Sequence, residues 1–239
     1  MFQALTSSTR VLGVALVVGL TVGSASSASA DWRLPHGVPR RAHVAVSVHA
    51  AAYTLPAPVL RWDPCAAVPW SFNPAGAPPG GEDTVRVAVA RVSIATRLRF
   101  IDVGASTVVP DSAGLASGVL LIGWTTPRAS SLLAGQPANT TGVSQGISVA
   151  SAIIGEVIAL NADLVAPMTG ASSWYTFALH ELGHAVGLMH TTDATQIMNA
   201  TIPPVVDFGA GDLAGLAAVG GTCQGSASSA LFRVAVSAA

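Results

Sequence analysis

Hydrophobic spacing divides the chain into several short elements and one long apolar-striped stretch near residue 180. Residues 68–72, Val-Pro-Trp-Ser-Phe, alternate apolar with other side chains, which predicts a strand closed by Asn73 and Pro74. A turn-rich run, 73–81, leads to Glu82 and Asp83 at the head of a helix, where acids suit the positive end of the dipole. Val85, Ala88, Val89, Val92 and Leu98 form its apolar stripe, and Arg86, Arg91 and Arg97 lie off it. Residues 99–103 and 118–124 read as two further strands, the second almost wholly apolar and so central in its sheet. Residues 125–146 read as a long polar loop. Residues 147–152 and 156–161 suggest a strand pair, the first at a sheet edge. After a connector at 163–171, Ser172 or Ser173 can cap a helix carrying Trp174, Phe177, Ala178 and Ala185. A last helix opens at 211–213 with Asp212 as N-cap or first-turn acid, and Gly220 and Gly221 end it.

The long stretch carries the chemistry. His180 and His184 are four apart, so a helix places both rings on one face. Glu181 follows the first histidine and stands beside a metal held there rather than on it. Gly187 can take φ > 0 and turn the chain back, so that His190 becomes a third ligand. Three imidazoles leave one tetrahedral position for water, which is the arrangement of a catalytic zinc rather than a closed structural one. The competing reading is a core helix whose histidines merely pack or cap.

The motif from His180 through Glu181, His184 and Gly187 to His190, followed by Met198, resembles the metzincin metalloproteases, and among them the matrixins and their small secreted bacterial relatives. The resemblance runs from about residue 60 to 223. It implies an α+β zincin domain: a twisted mixed sheet with an antiparallel edge strand, an active-site helix, a methionine turn and a C-terminal helix. It also implies one catalytic zinc on His180, His184 and His190, with Glu181 as general base and Met198 as an apolar floor beneath the ligands. The edge strand would pair with an extended peptide or protein substrate. Thr201 to Val206 would wall the pocket just past the scissile bond, favouring hydrophobic side chains. Matrixins also bind structural zinc and calcium through histidine and aspartate in the loop matching 125–146. That loop has neither residue here, so those sites are not carried over and calcium is unsupported. No cysteine lies between Asp31 and Asp63, so the family's propeptide cysteine latch is missing. Asp193 reads as a turn-stabilising residue rather than a ligand.

Composition sets the compartment and excludes some partners. Net charge is −1 and all 11 basic residues are arginine, so nothing attracts nucleic acid or an acidic membrane surface. Residues 1–30 have the form of a secretory signal: Arg10, an apolar run from Val11 to Gly23, and a small-residue tail ending at Ala30. The run falls short of the roughly 20 residues that span a bilayer. The expected organisation is a signal peptide at 1–30, an N-terminal arm or short propeptide at 31–58, a catalytic domain at 59–224 and a tail at 225–239. The mature chain would be secreted and monomeric, with no membrane span. In that compartment Cys65 and Cys223 can form a disulfide; the alternative is two free thiols. The sequence therefore predicts a secreted zinc endopeptidase, and the rival function is a catalytically weak zinc-binding adhesion or interaction module.

Overall fold

A computed structural model describes residues 53–201 and 204–223, all within one compact unit spanning 47–239. The expected signal peptide, most of the arm and the C-terminal tail lie outside the described residues. Five strands and three helices follow one another as β1 (Ala67–Asn73), α1 (Gly81–Thr96), β2 (Arg99–Ala105), β3 (Leu120–Thr125), β4 (Gly142–Val149), β5 (Ala152–Asn161), α2 (Trp174–Ala185) and α3 (Ala210–Val219). The sheet order is β2-β1-β3-β5-β4. The first four strands are parallel, and β4 closes the sheet as an antiparallel edge on β5. This is the α+β zincin layout that the sequence implied.

Burial explains the order. Every residue of β3 is buried, and β5 is buried along almost its whole length, so both need cover on each face and take central places. One face of the sheet meets α1 and α2 in the main core, which includes Phe72, Leu120, Ile122, Ile158 and Leu160. The opposite face holds a smaller cluster of Leu121, Val157, Ala159, Leu132 and Leu133, the last two supplied by the loop after β3. β2 is almost entirely exposed and lies at the other edge.

Four aromatic rings tie the sheet to the site. Phe72, Trp124, Trp174 and Phe177 stand edge to face in sequence, with centroids 5.4–6.0 Å apart. Such contacts contribute about 0.5–1.5 kcal/mol each beyond the burial itself. They lead from β1 through β3 into the first turn of α2 and fix where that helix starts. Its N-terminus is closed by a capping box in which Ser173 Oγ accepts the Thr176 N–H and Thr176 Oγ1 accepts the Ser173 N–H.

Residues 53–62 also belong to this unit. Thr54 bridges Met189 in antiparallel fashion, Arg61 bridges Ala152, and Trp62 Nε1 donates to the Ala185 carbonyl at 2.9 Å. A disulfide joins Cys65 to Cys223, with Cα atoms 4.5 Å apart, holding the chain beyond α3 against the approach to β1. No helix among the described residues is long and apolar enough to cross a membrane.

Candidate metal centre

The helix α2 presents His180 and His184 from successive turns, and the chain after it turns back to add His190. Gly187 makes that turn with φ of 110°, and a Cβ there would run into the Leu60 carbonyl. Only glycine satisfies both the torsion and the close approach. The three Nε2 atoms then stand 3.0, 3.1 and 3.2 Å from one another.

This spacing suits a tetrahedral ion. Nitrogens bound at about 2.0–2.1 Å in a tetrahedron lie about 3.3 Å apart, and the observed edges fall short of that by only a few tenths of an ångström. The tautomers agree. His180 Nδ1 faces the Ile197 carbonyl at 2.7 Å, and His184 Nδ1 faces the Leu188 carbonyl at 2.8 Å. A carbonyl can only accept, so both Nδ1 atoms carry the proton and both Nε2 lone pairs point into the shared space. Lone pairs that converge with no hydrogen between them are satisfied by a cation. Burial holds the imidazoles neutral: it pushes His180 down to about 3 and His184 to about 4, and it also lowers His190. Among the described residues this is the one group of three or more His, Cys, Asp or Glu able to hold a metal.

His180 is buried, His184 half-buried and His190 exposed, so the centre opens on one side. It opens into a cleft of about 900 Å³ bounded by β4, α2 and the loop around His190. Glu181 lines the same cleft, with its Cγ only 2.9 Å from where a side chain at Gly142 would begin. The glycine at the start of β4 therefore gives that carboxylate its space. Burial alone pushes the Glu181 carboxyl up to about 8.

Met198 is fully buried, and a Cβ at Gly183 would collide with its sulfur. Gly183 and Met198 therefore pack as a matched pair, a glycine between the two helical histidines admitting the thioether. Asp193 accepts from Thr195 through both its backbone N–H and its hydroxyl, at 2.8 and 2.7 Å, the turn role expected of it. Thr201 lines the cleft and Val205 packs on the core, whereas Ile202 and Pro203 of the expected pocket wall lie outside the described residues.

Asp212 does more than the helix-start role its sequence position suggests. Its Oδ2 accepts the Ile197 and Gly209 N–H groups at 2.6 and 2.9 Å, and Oδ1 accepts the Met198 N–H at 3.2 Å. Since Ile197 in turn offers its carbonyl to His180, the first turn of α3 is coupled to a metal ligand through the methionine turn. Fourteen residues separate Asp212 from Met198, beyond the reach of any local sequence signal.

A mixed sheet, a helix bearing two histidines, a third histidine after a glycine turn and a buried methionine define a metzincin-type centre. Residues 124–217 match the peptidase family model described as Matrixin, and over that stretch, which holds the histidine triad, the chain is matrixin-like. Matrixins are zinc-dependent, so the match and the triad together indicate a metallopeptidase. No curated protein matches the chain.

Proposed function

We propose that the protein is a secreted zinc endopeptidase in which His180, His184 and His190 hold the metal and Glu181 is the general base. The observation that carries this reading is the convergence of three Nε2 atoms, those of His180 and His184 unprotonated, beside a buried carboxylate in an open cleft. Zinc on three imidazoles supplies a Lewis acid for the scissile carbonyl and brings the pKa of water from about 9 on the free ion toward about 7.

The chain's own groups do the rest. β4 is the outermost strand, so its outer edge offers backbone N–H and C=O groups to an extended peptide. That recognition reads backbone before side chain, and it lays the scissile bond across Gly142, next to Glu181. Glu181 takes the proton from the attacking water and returns it to the leaving nitrogen. A carboxyl whose burial raises its proton affinity suits an acceptor that works near neutral pH. Secretion is supported by the leader-like residues 1–30 and agrees with the Cys65–Cys223 bridge. One such domain acts as a monomer on protein or peptide substrates.

The test is casein hydrolysis by the zinc-loaded protein, with and without a chelator, beside the Glu181→Gln variant. Loss of a general base should cost about 10²–10⁴-fold in turnover while zinc content stays at one per chain. A wild-type protein that binds zinc yet cleaves nothing would instead be a binding module, and a Glu181→Gln variant of full activity would remove Glu181 from the mechanism.

A further inference from the structure

A second buried carboxylate lines the same cleft. Glu156 lies on β5, opposite Leu120 of β3 and Gly146 of β4. By the two-residue period of a strand it shares the helix-facing side of the sheet with Ile158 and Leu160, both in the main core. It is 6% exposed. One of its oxygens, Oε1, accepts from Ser144 Oγ at 2.8 Å. The other, Oε2, occupies the space a side chain at Gly146 would fill, and among the described residues it has neither a hydrogen-bond partner nor a cation.

This is a costly way to fill a core position. Burial pushes the Glu156 carboxyl up to about 8, and the Ser144 hydroxyl offsets only part of that. A glutamine or methionine would pack the same volume without the penalty, so the geometry invites a cationic partner from the cleft. Glu156 cannot share the chemistry with Glu181. The two acids sit beneath Gly146 and Gly142, four residues apart on β4, which is about 13 Å along an extended strand. Such a separation suits substrate side chains two to four positions from the scissile bond. Pro56, Leu60, Ile153 and Phe177 also line the cleft and offer apolar surface to an aliphatic stem. An apolar wall with a carboxylate at its base fits a side chain that is greasy along its length and cationic at its tip.

We propose that Glu156, with Ser144 holding one of its oxygens and Gly146 leaving room for the other, forms a subsite for an arginine or lysine side chain of the peptide substrate. The inference rests on the endopeptidase reading and supplies its substrate class. Glu156 is a specificity residue: it touches the substrate but not the reacting atoms.

The experiment uses the zinc-loaded protein and fluorogenic peptides carrying arginine, lysine, citrulline or norleucine in turn at each of four positions on either side of the bond. In the wild type, one position should favour arginine over citrulline by about tenfold or more in kcat/KM, and Glu156→Gln should bring that ratio near one. Gly146→Ala, which displaces Oε2, should erode the same ratio and serves if the glutamine variant does not fold. Binding of the arginine and citrulline peptides to the Glu181→Gln protein, measured by calorimetry, should rank them in the same order. Cleavage with no basic preference at any position, or a preference that survives both variants, overturns the assignment and leaves the peptidase reading standing. Binding that ranks the peptides as expected with no cleavage by wild type overturns the peptidase reading and keeps the subsite. Neither cleavage nor ranked binding overturns both.

Discussion

Replacing Asp212 with asparagine tests whether the methionine turn is held from below or merely sits there. In the native protein the carboxylate accepts three backbone N–H groups, from Ile197, Met198 and Gly209. Asparagine keeps one oxygen, which can serve Ile197 and Gly209, but turns an NH₂ toward the Met198 N–H. A buried donor left facing a donor costs about 1–3 kcal/mol, and each of the other two bonds loses about 1 kcal/mol on passing from charged to neutral acceptor. Against this stands relief of the burial that raises the Asp212 carboxyl. The net expectation is a loss of about 2–3 kcal/mol, or roughly 5–10 °C in Tm for a domain of this size. Because Ile197 passes its carbonyl to His180, zinc affinity should also weaken, by about tenfold, the low end of what outer partners of a ligand contribute. Thermal melts of zinc-loaded and stripped protein, with zinc titrations against a chromogenic chelator, measure both effects. A stripped protein that melts lower while zinc affinity stays within twofold would make Asp212 a fold residue with no hold on the metal. Unchanged melting would refute the account of its three bonds altogether.

Other expectations follow from the same geometry. For the metal-free protein, His180 and His184 titrate well below their ordinary value when folded, so the unfolded chain takes up protons first. Their share of the stability should be complete above about pH 6.5 and fall toward pH 4, while the raised Glu156 and Glu181 carboxyls pull the other way between about pH 4.5 and 8, so it is read as the difference between denaturant melts of the wild type and a His180→Ala, His184→Ala variant; a difference that does not change with pH would mean the rings are not buried as described. Gly183→Ala drives a methyl into the Met198 sulfur and should lower both Tm and zinc occupancy, read by melting and metal analysis; unaltered values would show that the thioether yields freely. Cys65→Ser opens a loop of 158 residues and should cost about 4–5 kcal/mol on the chain-entropy view, measured by chemical denaturation; a loss below 1 kcal/mol would place the constraint elsewhere.

How much of this was legible in the sequence varies with distance along the chain. The site helix and the glycine turn are local, so His180, His184 and Gly187 could be read directly and the cap narrowed to Ser172 or Ser173, of which Ser173 is the one used. The central strands announced themselves because burial on both faces demands unbroken apolar runs such as Leu120 to Trp124. β4 was harder. Its first half, Gly142 to Gly146, falls within the stretch that reads as a polar loop, because small and polar residues carry little strand preference. The reason is spatial: Gly142 and Gly146 are small so that Glu181 and Glu156 can lie beneath them. The reach of Asp212 to the methionine turn and the depth of Glu156 were equally hidden, since each depends on partners brought together only by the completed sheet.

The contact between residues 53–62 and the site has a mechanical meaning. Met189, next to the third histidine, gives its N–H to the carbonyl of Thr54, and Gly187 lies hard against Leu60. The loop that carries His190 is thus laced to a stretch of backbone more than 120 residues upstream. A cut or a tether that shifted residues 53–62 would therefore act on the backbone beside His190, the most exposed of the three histidines.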